Sequence, residues 1–406
     1  MSESALNGLK ILDFGWVMSG ASIGKHLADN GATVIRVETA SRPCTLRVDR
    51  QISVSKATSL DDKPVFTWFN TSKLSLSLNM RHSRSREMLD KLVRWADVIS
   101  ENYTPGTMNK LGLGYEQLCR LKPDIIMVSA SAFGQTGPLA QEWGMDGSAL
   151  TLSGRLYLTG WPDQEPVMTT CAPFADIVTP VFASSAILAA LDYRRRTGRG
   201  QYIDVSMTEV CSRSIAPALL DWAANRNLQK RTGNRLPYAA PHGVFPCSGD
   251  DRWCAIAVFT EEEWSAFCRV TGHADLCRDK RFATLESRKK NEDELEKLTS
   301  EWTRRYTAEE VMIRMQEAGV AAGVVQNARD ILEKDPQLKE RGFIKDLKHP
   351  VLGEFGHLTP AYKLSKTPAD VKTSPCLGEH TEYICTQLLG MADNDYISLL
   401  QDGVFA

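Results

Sequence analysis

The chain has 406 residues, of which 43% are hydrophobic and 24% are charged. This balance is typical of a soluble globular protein and excludes a disordered, fibrous or collagen-like chain. Since a domain usually has about 100–200 residues, the length predicts two domains. The 48 Lys and Arg residues nearly balance the 50 Asp and Glu residues, giving a formal net charge of −2. No global field therefore favours nucleic acid or an anionic membrane, and any anion site has to be local.

Cysteine and histidine spacing argues against disulfide and metal sites. The ten cysteines are scattered from Cys44 to Cys385 without a CxxC pair, and the seven histidines lack HxxxH or HExxH spacing. The first ten residues lack an apolar signal segment, and we expect no later segment to approach the ~18 apolar residues of a membrane span. The sequence therefore predicts reduced thiols, no metal, no membrane segment and a cytoplasmic location.

The first half of the chain alternates between two hydrophobic periods. Strand-like runs occur at residues 9–14, 33–37, 98–100, 125–129 and 201–205, and helical spacing occurs at residues 22–30, 85–95, 115–121 and 181–195. Strands that alternate with helices form mostly parallel sheets. We therefore expect a large Rossmann-like α/β domain to begin with residues 1–205.

The second half of the chain has a different pattern of polar, turn-forming and apolar residues. Residues 206–230 are predicted to be a linker, and residues 231–333 a smaller α+β domain. Its predicted elements are a hairpin at 245–259, a helix at 261–271, a capping box of Thr307 and Glu310 before a helix at 311–318, and a loop at 319–323. Residues 334–406 are punctuated by proline, and we expect them to return as a linker and complete the large domain.

A dinucleotide-binding motif is the first hypothesis for a βαβ start, but the glycines do not support it. Gly15, Gly20 and Gly24 do not form GxGxxG, and Gly24-Lys25-His26 lacks the Ser or Thr of a phosphate-binding P-loop. The sequence also has no GxSxG motif of an α/β hydrolase. Classical NAD binding and serine hydrolysis are therefore disfavoured.

A set of segments along nearly the whole chain carries a more specific signal. In order, they are LNGLKILD (6–13), LADNGATVIRVE (27–38), ADVISENYTPG (96–106), LGLGY (111–115), SAFGQTGP (131–138), TGRGQ (197–201), RFAT (281–284), AGV (318–320) and LGEHT (377–381). Together they resemble the class III CoA-transferases, the family of formyl-CoA and carnitine CoA-transferases and of related acyl-CoA racemases. The resemblance implies a ring-shaped subunit, with a large domain built from both chain ends and a small domain in the middle. It also implies an interlocked dimer with a second subunit, as homodimer or heteromer.

Asp176 is the candidate catalytic residue. It lies in PFAD (173–176), just before a helix rich in small residues, and without context it reads as a helix N-terminal aspartate stabilised by the macrodipole. The resemblance places it at the nucleophilic aspartate of the family. It would then attack an acyl-CoA and carry first an anhydride and then a CoA thioester. The CoA thioester is a substrate, and no permanently bound cofactor is implied.

Matching the segments to the family nominates a set of CoA-binding residues, and Lys73 and Lys110 are the expected phosphate partners. Each of these two residues taken alone reads as an ordinary surface lysine. Some relatives have an arginine where this chain has Thr39, and we expect Arg36, Arg42 or Arg47 to compensate. The nominated residues are Met18, Ser19, Asn70, Thr71, Ser72, Lys73, Asn102, Tyr103, Thr104, Lys110, Met145 and Asp146.

At two positions the sequence differs from motifs of the family, and these differences disfavour two of its reactions. The Gly-His-Asp motif of the racemases reads Gly-Met-Asp at 144–146, and methionine cannot exchange a proton. Residues 237–241 read PYAAP instead of the glycine run of formyl-CoA transferases, so oxalate–formate exchange is disfavoured. Trp16, Tyr238 and Ala239 are the expected substrate-lining residues.

The sequence therefore predicts a CoA-transferase with a CoA thioester and a small carboxylic acid as its partners. Succinyl-CoA is the expected donor. An aromatic, dicarboxylic or carnitine-like acid, with benzylsuccinate as one example, is the expected acceptor. The alternatives are a non-catalytic subunit of a heteromeric transferase and, less favoured, an α-methylacyl-CoA racemase.

Overall fold

A computed structural model describes residues 4–48, 59–168 and 173–405. The chain forms two compact units: unit 1 contains Met1–Leu156, Met168–Arg226 and Gln337–Ala406, and unit 2 contains Tyr157–Val167 and Asn227–Pro336. Residues 157–167, which the sequence analysis placed in the large domain, belong to unit 2. The boundaries expected at 205, 230 and 333 remain a prediction about functional domains.

The helices and strands of the described residues are numbered here in chain order. The strands are β1 (Lys10–Asp13), β2 (Thr33–Glu38), β3 (Leu74–Ser77), β4 (Val98–Glu101), β5 (Ile126–Ser131), β6 (Tyr202–Ser206), β7 (His242–Pro246), β8 (Trp253–Ala257), β9 (Ala321–Val324), β10 (Ile344–His349) and β11 (Gly353–Leu358). The α-helices are α1 (Val17–Ala28), α2 (Thr45–Val48), α3 (Pro64–Phe69), α4 (Ser85–Trp95), α5 (Thr107–Lys110), α6 (Tyr115–Leu121), α7 (Asp146–Leu152), α8 (Phe174–Thr197), α9 (Met207–Arg213), α10 (Ala216–Asn225), α11 (Glu261–Thr271), α12 (Leu285–Lys290), α13 (Glu292–Thr303), α14 (Ala308–Glu317), α15 (Pro336–Glu340), α16 (Thr381–Tyr383) and α17 (Asp393–Gln401).

Unit 1 is built on a six-stranded parallel sheet with the order β3-β2-β1-β4-β5-β6. The strand order reverses between β1 and β4, which creates a crevice at the carboxyl ends of these strands. The predicted α/β fold with a parallel sheet is thereby confirmed. Strand β3 was not predicted, because a four-residue strand with two serines has a weak signal in the sequence until it pairs with β2.

Both faces of this sheet are buried, which explains why its strands are apolar runs. Leu12 and Met127 pack into the core on one face, together with side chains of α4 and α6. Ile11 and Val128 pack on the other face, together with Ile23 of α1 and side chains of α8. Fully burying one such side chain contributes about 1.5–3 kcal/mol. The two apolar layers therefore hold the carboxyl edge of the sheet in place.

The carboxyl-terminal segment completes unit 1. Ile384, Leu399 and Val404 are buried in the same core as Leu12. The hydroxyl of Thr381 accepts a hydrogen bond of 3.1 Å from the backbone N–H of Ser77. Residues 337–406 also contain the antiparallel hairpin β10–β11, which the proline-punctuated sequence did not predict.

Unit 2 contains the antiparallel sheet β7-β8-β9, and the predicted hairpin corresponds to β7 and β8. The loop predicted at 319–323 is wrong, because residues 321–324 form β9 beside β8. Alanine and glycine have low strand propensity, and pairing with β8 overrides it. The predicted capping box is confirmed, since the Thr307 hydroxyl accepts from the Glu310 N–H at 3.2 Å and α14 follows.

Helix α8 begins at Phe174, seven residues before the predicted start. By length and composition it is apolar enough to cross a membrane, which corrects the statement that no segment approaches a span. However, 39% of its apolar window is buried, and the helix packs on α1, β5 and β6 within unit 1. Length and composition alone are weak evidence, because long core helices of globular proteins share them.

Candidate active site

A cavity of about 590 Å³ lies at the carboxyl ends of the first four strands, where the strand order reverses. We call it the switch-point cavity. Trp16, Tyr103, Thr104 and Lys110, four of the residues nominated from the sequence, line it together. In open α/β sheets this crevice is the usual place of ligand binding.

The turn after β1 is held by Asn102, which follows β4. The Asn102 side chain accepts from the Trp16 N–H at 2.6 Å and donates to the Trp16 carbonyl at 2.9 Å. Gly20 has to be glycine because a Cβ atom there would lie 2.2 Å from the Asn102 oxygen. Asn102 therefore sets the position of Trp16 and acts on the cavity through it.

The first turn of α1 carries Met18 and Ser19. The N-cap residue Trp16 makes no side-chain capping bond, and the Val17 N–H donates to Cys44 Sγ at 3.4 Å, so among the described residues no capping oxygen satisfies the first N–H groups. The Ser19 hydroxyl is buried and has no hydrogen-bond partner. Open N–H groups and the helix macrodipole make such a turn favourable for an anion.

Three exposed cations line the switch-point cavity: Arg42, Arg81 and Lys110. The Arg42 guanidinium lies 5.1 Å from the Trp16 ring centre. The acidic Glu38 at the end of β2 does not oppose these charges, because Arg47 pairs with it at 2.8 Å. Arg81 was not nominated from the sequence, because it follows the unpredicted strand β3.

Several nominated residues instead belong to the interior. The Lys73 ammonium is fully buried and donates to Asp13 at 2.7 Å, to the Ala21 carbonyl at 2.6 Å and to Asn70 at 3.0 Å. All three N–H groups of the ammonium are used within the protein, so Lys73 has no donor left for a CoA phosphate. Burial lowers its pKa to about 8.

The neighbours of Lys73 are also structural. Thr71 is fully buried, and the hydroxyls of Thr71 and Ser72 both donate to Asp29, at 2.8 and 2.7 Å. Arg36 and Arg47, considered as substitutes for an arginine at position 39, are each 1% exposed. Arg42 is therefore the one of those three arginines that faces the cavity.

Asp176 lies in the first turn of α8. Its backbone N–H donates to Asp146 Oδ1 at 3.1 Å, and Asp146 is the first residue of α7. Burial and, after it, the charge of Asp146 raise the pKa of the Asp176 carboxyl to about 7. The structure thus places Asp146 beside Asp176, and the half-exposed Met145 precedes it at the start of α7, whereas both were grouped with the CoA-binding residues from the sequence.

The surroundings of Asp176 explain its desolvation. An apolar cluster joins α7, α8 and α9 at this point and contains Ala149, Leu150, Ala175, Met207 and Cys211. Burial raises the pKa of the Cys211 thiol to about 11, so this thiol is neutral. The sequence contained no signal for Cys211, because only tertiary packing brings α9 to the start of α8.

The two remaining predicted residues lie in unit 2. The Tyr238 side chain is exposed and its ring stacks on Phe259, with 6.4 Å between the ring centres. Ala239 is fully buried, so its side chain offers no surface to a ligand in unit 2. Among the residues that the structure describes, no group of three or more His, Cys, Asp or Glu is placed to hold a metal ion.

An anion-binding turn at a switch point is typical of α/β proteins that bind nucleotide-containing ligands. Comparison with known families is more specific. The model of CoA-transferase family III matches residues 6–381, and the chain belongs to this family. The protein is therefore a CoA-transferase, and the resemblance found in the sequence is confirmed.

Individual relatives match over nearly their whole length. Succinyl-CoA–D-citramalate CoA-transferase from Chloroflexus aurantiacus is 32% identical over 400 residues, covering 98% of this chain and 96% of that protein. Succinyl-CoA:glutarate CoA-transferase from Mus musculus is 28% identical over 404 residues, covering 99% and 91%. Among solved structures, a CaiB/BaiF family protein from Brucella suis is 31% identical with a TM-score of 0.87, covering 96% of this chain and 100% of that one.

Proposed function

We propose that this protein transfers CoA from succinyl-CoA to a dicarboxylic acid, with Asp176 as the nucleophile. One observation carries the assignment: the Asp176 carboxyl lies at the start of α8 next to an apolar cluster that contains Ala175, and beside a second carboxyl. Two similar transferases are named for succinyl-CoA with D-citramalate or glutarate, which supports this donor and a dicarboxylic acceptor. Benzylsuccinate, an aromatic dicarboxylic acid, is a further candidate acceptor.

The reaction needs only a carboxylate and a retained thiol. The Asp176 carboxylate attacks the thioester carbonyl of succinyl-CoA, the C–S bond breaks, and a mixed anhydride and CoA thiolate result. The thiolate then attacks the Asp176 carbonyl, which releases succinate and leaves an aspartyl-CoA thioester. The acceptor carboxylate attacks this thioester, the C–S bond breaks, and a second mixed anhydride and free CoA thiolate result. The thiolate then attacks the acceptor carbonyl of this anhydride. The new acyl-CoA leaves, and the Asp176 carboxylate is regenerated.

The residues around Asp176 meet two requirements of these reaction steps: protection of the anhydride from water and an ionised nucleophile. The apolar cluster next to Asp176 limits the access of water to an anhydride that water would hydrolyse. A pKa of about 7 leaves a substantial ionised fraction of Asp176 at neutral pH, and the desolvated carboxylate is a better nucleophile than one in water. No metal or redox step is part of the proposal.

The switch-point cavity is the proposed site for the nucleotide part of CoA. Open N–H groups at Met18 and Ser19 and the cations Arg42, Arg81 and Lys110 suit the phosphates. The rings of Trp16 and Tyr103, 6.2 Å apart, offer an aromatic surface to the base. Asn102 holds the Trp16 turn.

We also propose that a second subunit covers part of unit 1, in the interlocked dimer that the family resemblance implies. None of the residues of α10 is buried, and Leu219, Leu220 and Trp222 expose 51%, 68% and 48% of their surface. Val181 of α8 is 51% exposed as well. Exposed large apolar side chains of this kind usually mark an interface. The proposed location is cytoplasmic.

A non-catalytic role in a heteromer is the second candidate. The β subunit of succinyl-CoA–L-malate CoA-transferase from Chloroflexus aurantiacus is 29% identical over 398 residues, so a relative is named as one subunit of an enzyme. Racemase activity is less favoured, because Met145 occupies the histidine position of the racemase motif.

The proposal is tested by incubating the protein with succinyl-CoA and a panel of acids that includes citramalate, glutarate, malate and benzylsuccinate. Hydroxylamine should trap the activated carboxyl as a hydroxamate on the peptide that contains Asp176. Asp176→Asn should lose at least ~10³-fold in kcat, since the nucleophile is removed. Asp192→Asn, an exposed position on the same helix, is the matched control and should stay active. Exchange that persists in Asp176→Asn would overturn the mechanism. Activity only after a second chain is added would favour the subunit role.

A further inference from the structure

A second cavity of about 770 Å³ lies in unit 1 beside β4, β5 and β6. Across these three parallel strands Glu101 is in register with Ser129, and Ser129 with Asp204. Residues in register on neighbouring strands point to the same face of a sheet, so these side chains form a polar row. Glu101 and Ser129 line the cavity. None of the three was nominated from the sequence.

Glu101 is the last residue of β4 and is only 3% exposed. Its Oε2 atom accepts a hydrogen bond of 2.7 Å from the backbone N–H of Tyr103. Burial, with a further contribution from the charge of Asp204, raises the pKa of Glu101 to about 7. Burying an ionised carboxyl costs free energy. Because Glu101 lines a cavity, its carboxyl can exchange protons with solvent.

The bond to Tyr103 connects the two cavities. Tyr103 lines the switch-point cavity, and Asn102, between Glu101 and Tyr103, holds the Trp16 backbone through two hydrogen bonds. Thr104, the next residue, lines both cavities. The hydrogen bond from Tyr103 to Glu101 therefore fixes the conformation of residues 102–104. These residues in turn hold Trp16 and line the switch-point cavity.

We infer that Glu101 is a positioning residue for CoA: its carboxyl group fixes the Tyr103 backbone and, through Asn102, the Trp16 turn that CoA contacts. The inference rests on the proposed function, which places CoA in the switch-point cavity. Glu101 does not touch the substrate in this scheme. Its removal should weaken CoA binding and leave the chemical step at Asp176 largely unchanged.

The test measures the Kd of CoA lacking its sulfur atom, which binds without reacting. Glu101→Ala leaves the partly buried Tyr103 N–H without its acceptor, and we expect the Kd to rise about tenfold. Glu101→Gln keeps an acceptor oxygen and should restore the Kd to within about twofold of the wild-type value at pH 6.5. In turnover, Glu101→Ala should raise KM for succinyl-CoA with kcat changed by less than about twofold. Wild-type affinity in Glu101→Ala, or no rescue by Gln, would overturn the inference.

Measuring the Kd at several pH values separates a positioning role of the Glu101 carboxyl from a role in packing alone. This measurement uses wild type and Glu101→Gln, so it does not depend on the folding of Glu101→Ala. At position 101, glutamate ionises near pH 7 and glutamine does not, and an ionised acceptor holds the Tyr103 N–H more strongly. The affinity ratio of wild type to Glu101→Gln should therefore increase from pH 6.5 to pH 8. A constant ratio would contradict the inference that the Glu101 carboxylate fixes the Tyr103 backbone. The groups that face Glu101 across the strands, the following turn and the cavity are Asp204, Tyr202, Tyr103, Tyr115, Glu116 and Arg120.

Two further variants separate failure of this inference from failure of the proposed function. Glu116→Gln changes an exposed carboxyl in the same cavity and should leave the Kd unchanged. Lys110→Ala removes a cation from the switch-point cavity. If Lys110→Ala weakens binding and Glu101→Ala does not, only the positioning inference fails. If neither variant changes the Kd, CoA does not bind in the switch-point cavity and that part of the proposed function fails as well.

Discussion

The backbone N–H of Asp176 donates a hydrogen bond of 3.1 Å to the side chain of Asp146. The first N–H groups of a helix lack partners within the helix, and the Asp146 carboxylate satisfies one of them at the start of α8. The same carboxylate brings a negative charge close to the Asp176 carboxyl and contributes to raising its pKa. Asp146 therefore both orders the turn that carries the proposed nucleophile and tunes its ionisation.

Asp146→Asn should separate these two effects. The amide oxygen still accepts from the Asp176 N–H, but the charge is gone, so the pKa of Asp176 should fall below about 7. Since only the ionised carboxyl attacks, the acid limb of kcat/KM should move to lower pH by roughly one unit. Asp146→Ala also removes the cap and should lower the free energy of unfolding by about 1 kcal/mol. An unshifted pH profile in Asp146→Asn would show that burial alone sets this pKa.

Asp176→Asn should stabilise the fold at alkaline pH. In the folded state the pKa is about 7, above the ordinary value of 3.8, so the folded state binds more protons between these values and its stability falls as pH rises through this window. Asparagine carries no such cost. The gain in Tm of Asp176→Asn over wild type should therefore be small at pH 4 and reach several degrees at pH 8. Thermal unfolding at both pH values checks this, and an equal difference at the two values contradicts it.

Lys110→Ala should weaken CoA binding without destabilising the fold. Lys110 is exposed at the switch-point cavity, and a hydrogen bond to a charged group contributes about 1.5–3 kcal/mol. The Kd for CoA should therefore rise about ten- to hundredfold. Lys122→Ala, which removes a cation outside the cavity lining, is the matched control. Equal affinities of Lys110→Ala and wild type at low salt would refute the phosphate role.

Lys73→Met should destabilise the fold, in contrast to Lys110→Ala, which should weaken CoA binding only. Lys73→Met leaves the fully buried Asp13 carboxylate without its partner at 2.7 Å, and the remaining cation, Arg36, lies farther away at 4.0 Å. Removing one member of a buried ion pair costs about 3–5 kcal/mol. The double variant Asp13→Asn/Lys73→Met should recover part of this loss in denaturant unfolding. A stable Lys73→Met protein with weakened CoA binding would restore the phosphate role that was expected from the sequence.

Leu220→Glu should disrupt association with a second subunit. Leu220 of α10 is 68% exposed, so a charge there costs little in the isolated chain but is unfavourable in an apolar interface. We expect the protein to elute at a lower mass in gel filtration while its far-UV circular dichroism stays unchanged. Lys230→Glu, a polar surface position in unit 2, is the control. A wild-type elution mass for Leu220→Glu would place the interface elsewhere.

Local signals were sufficient for part of this protein. Helices α4, α6 and α11 have the predicted bounds, because their apolar period and end residues are contained within each segment. The family signatures were likewise readable, because they are short runs of neighbouring residues. In contrast, β3 and β9 have weak intrinsic preferences and form only by pairing with β2 and β8.

The linear order of residues established the family, the parallel α/β class and the identity of Asp176 as the candidate nucleophile. It did not establish which charged residues are available to a ligand, because Lys73 and Lys110 have the same chemistry in the sequence and opposite burial in the fold. Burial and charge interactions depend on side chains far apart in the sequence, such as the ion pair of Lys73 with Asp13 or the repulsion between Glu101 and Asp204. Only tertiary packing decides these charges, since desolvation is a property of the surroundings and absent from the residue alone.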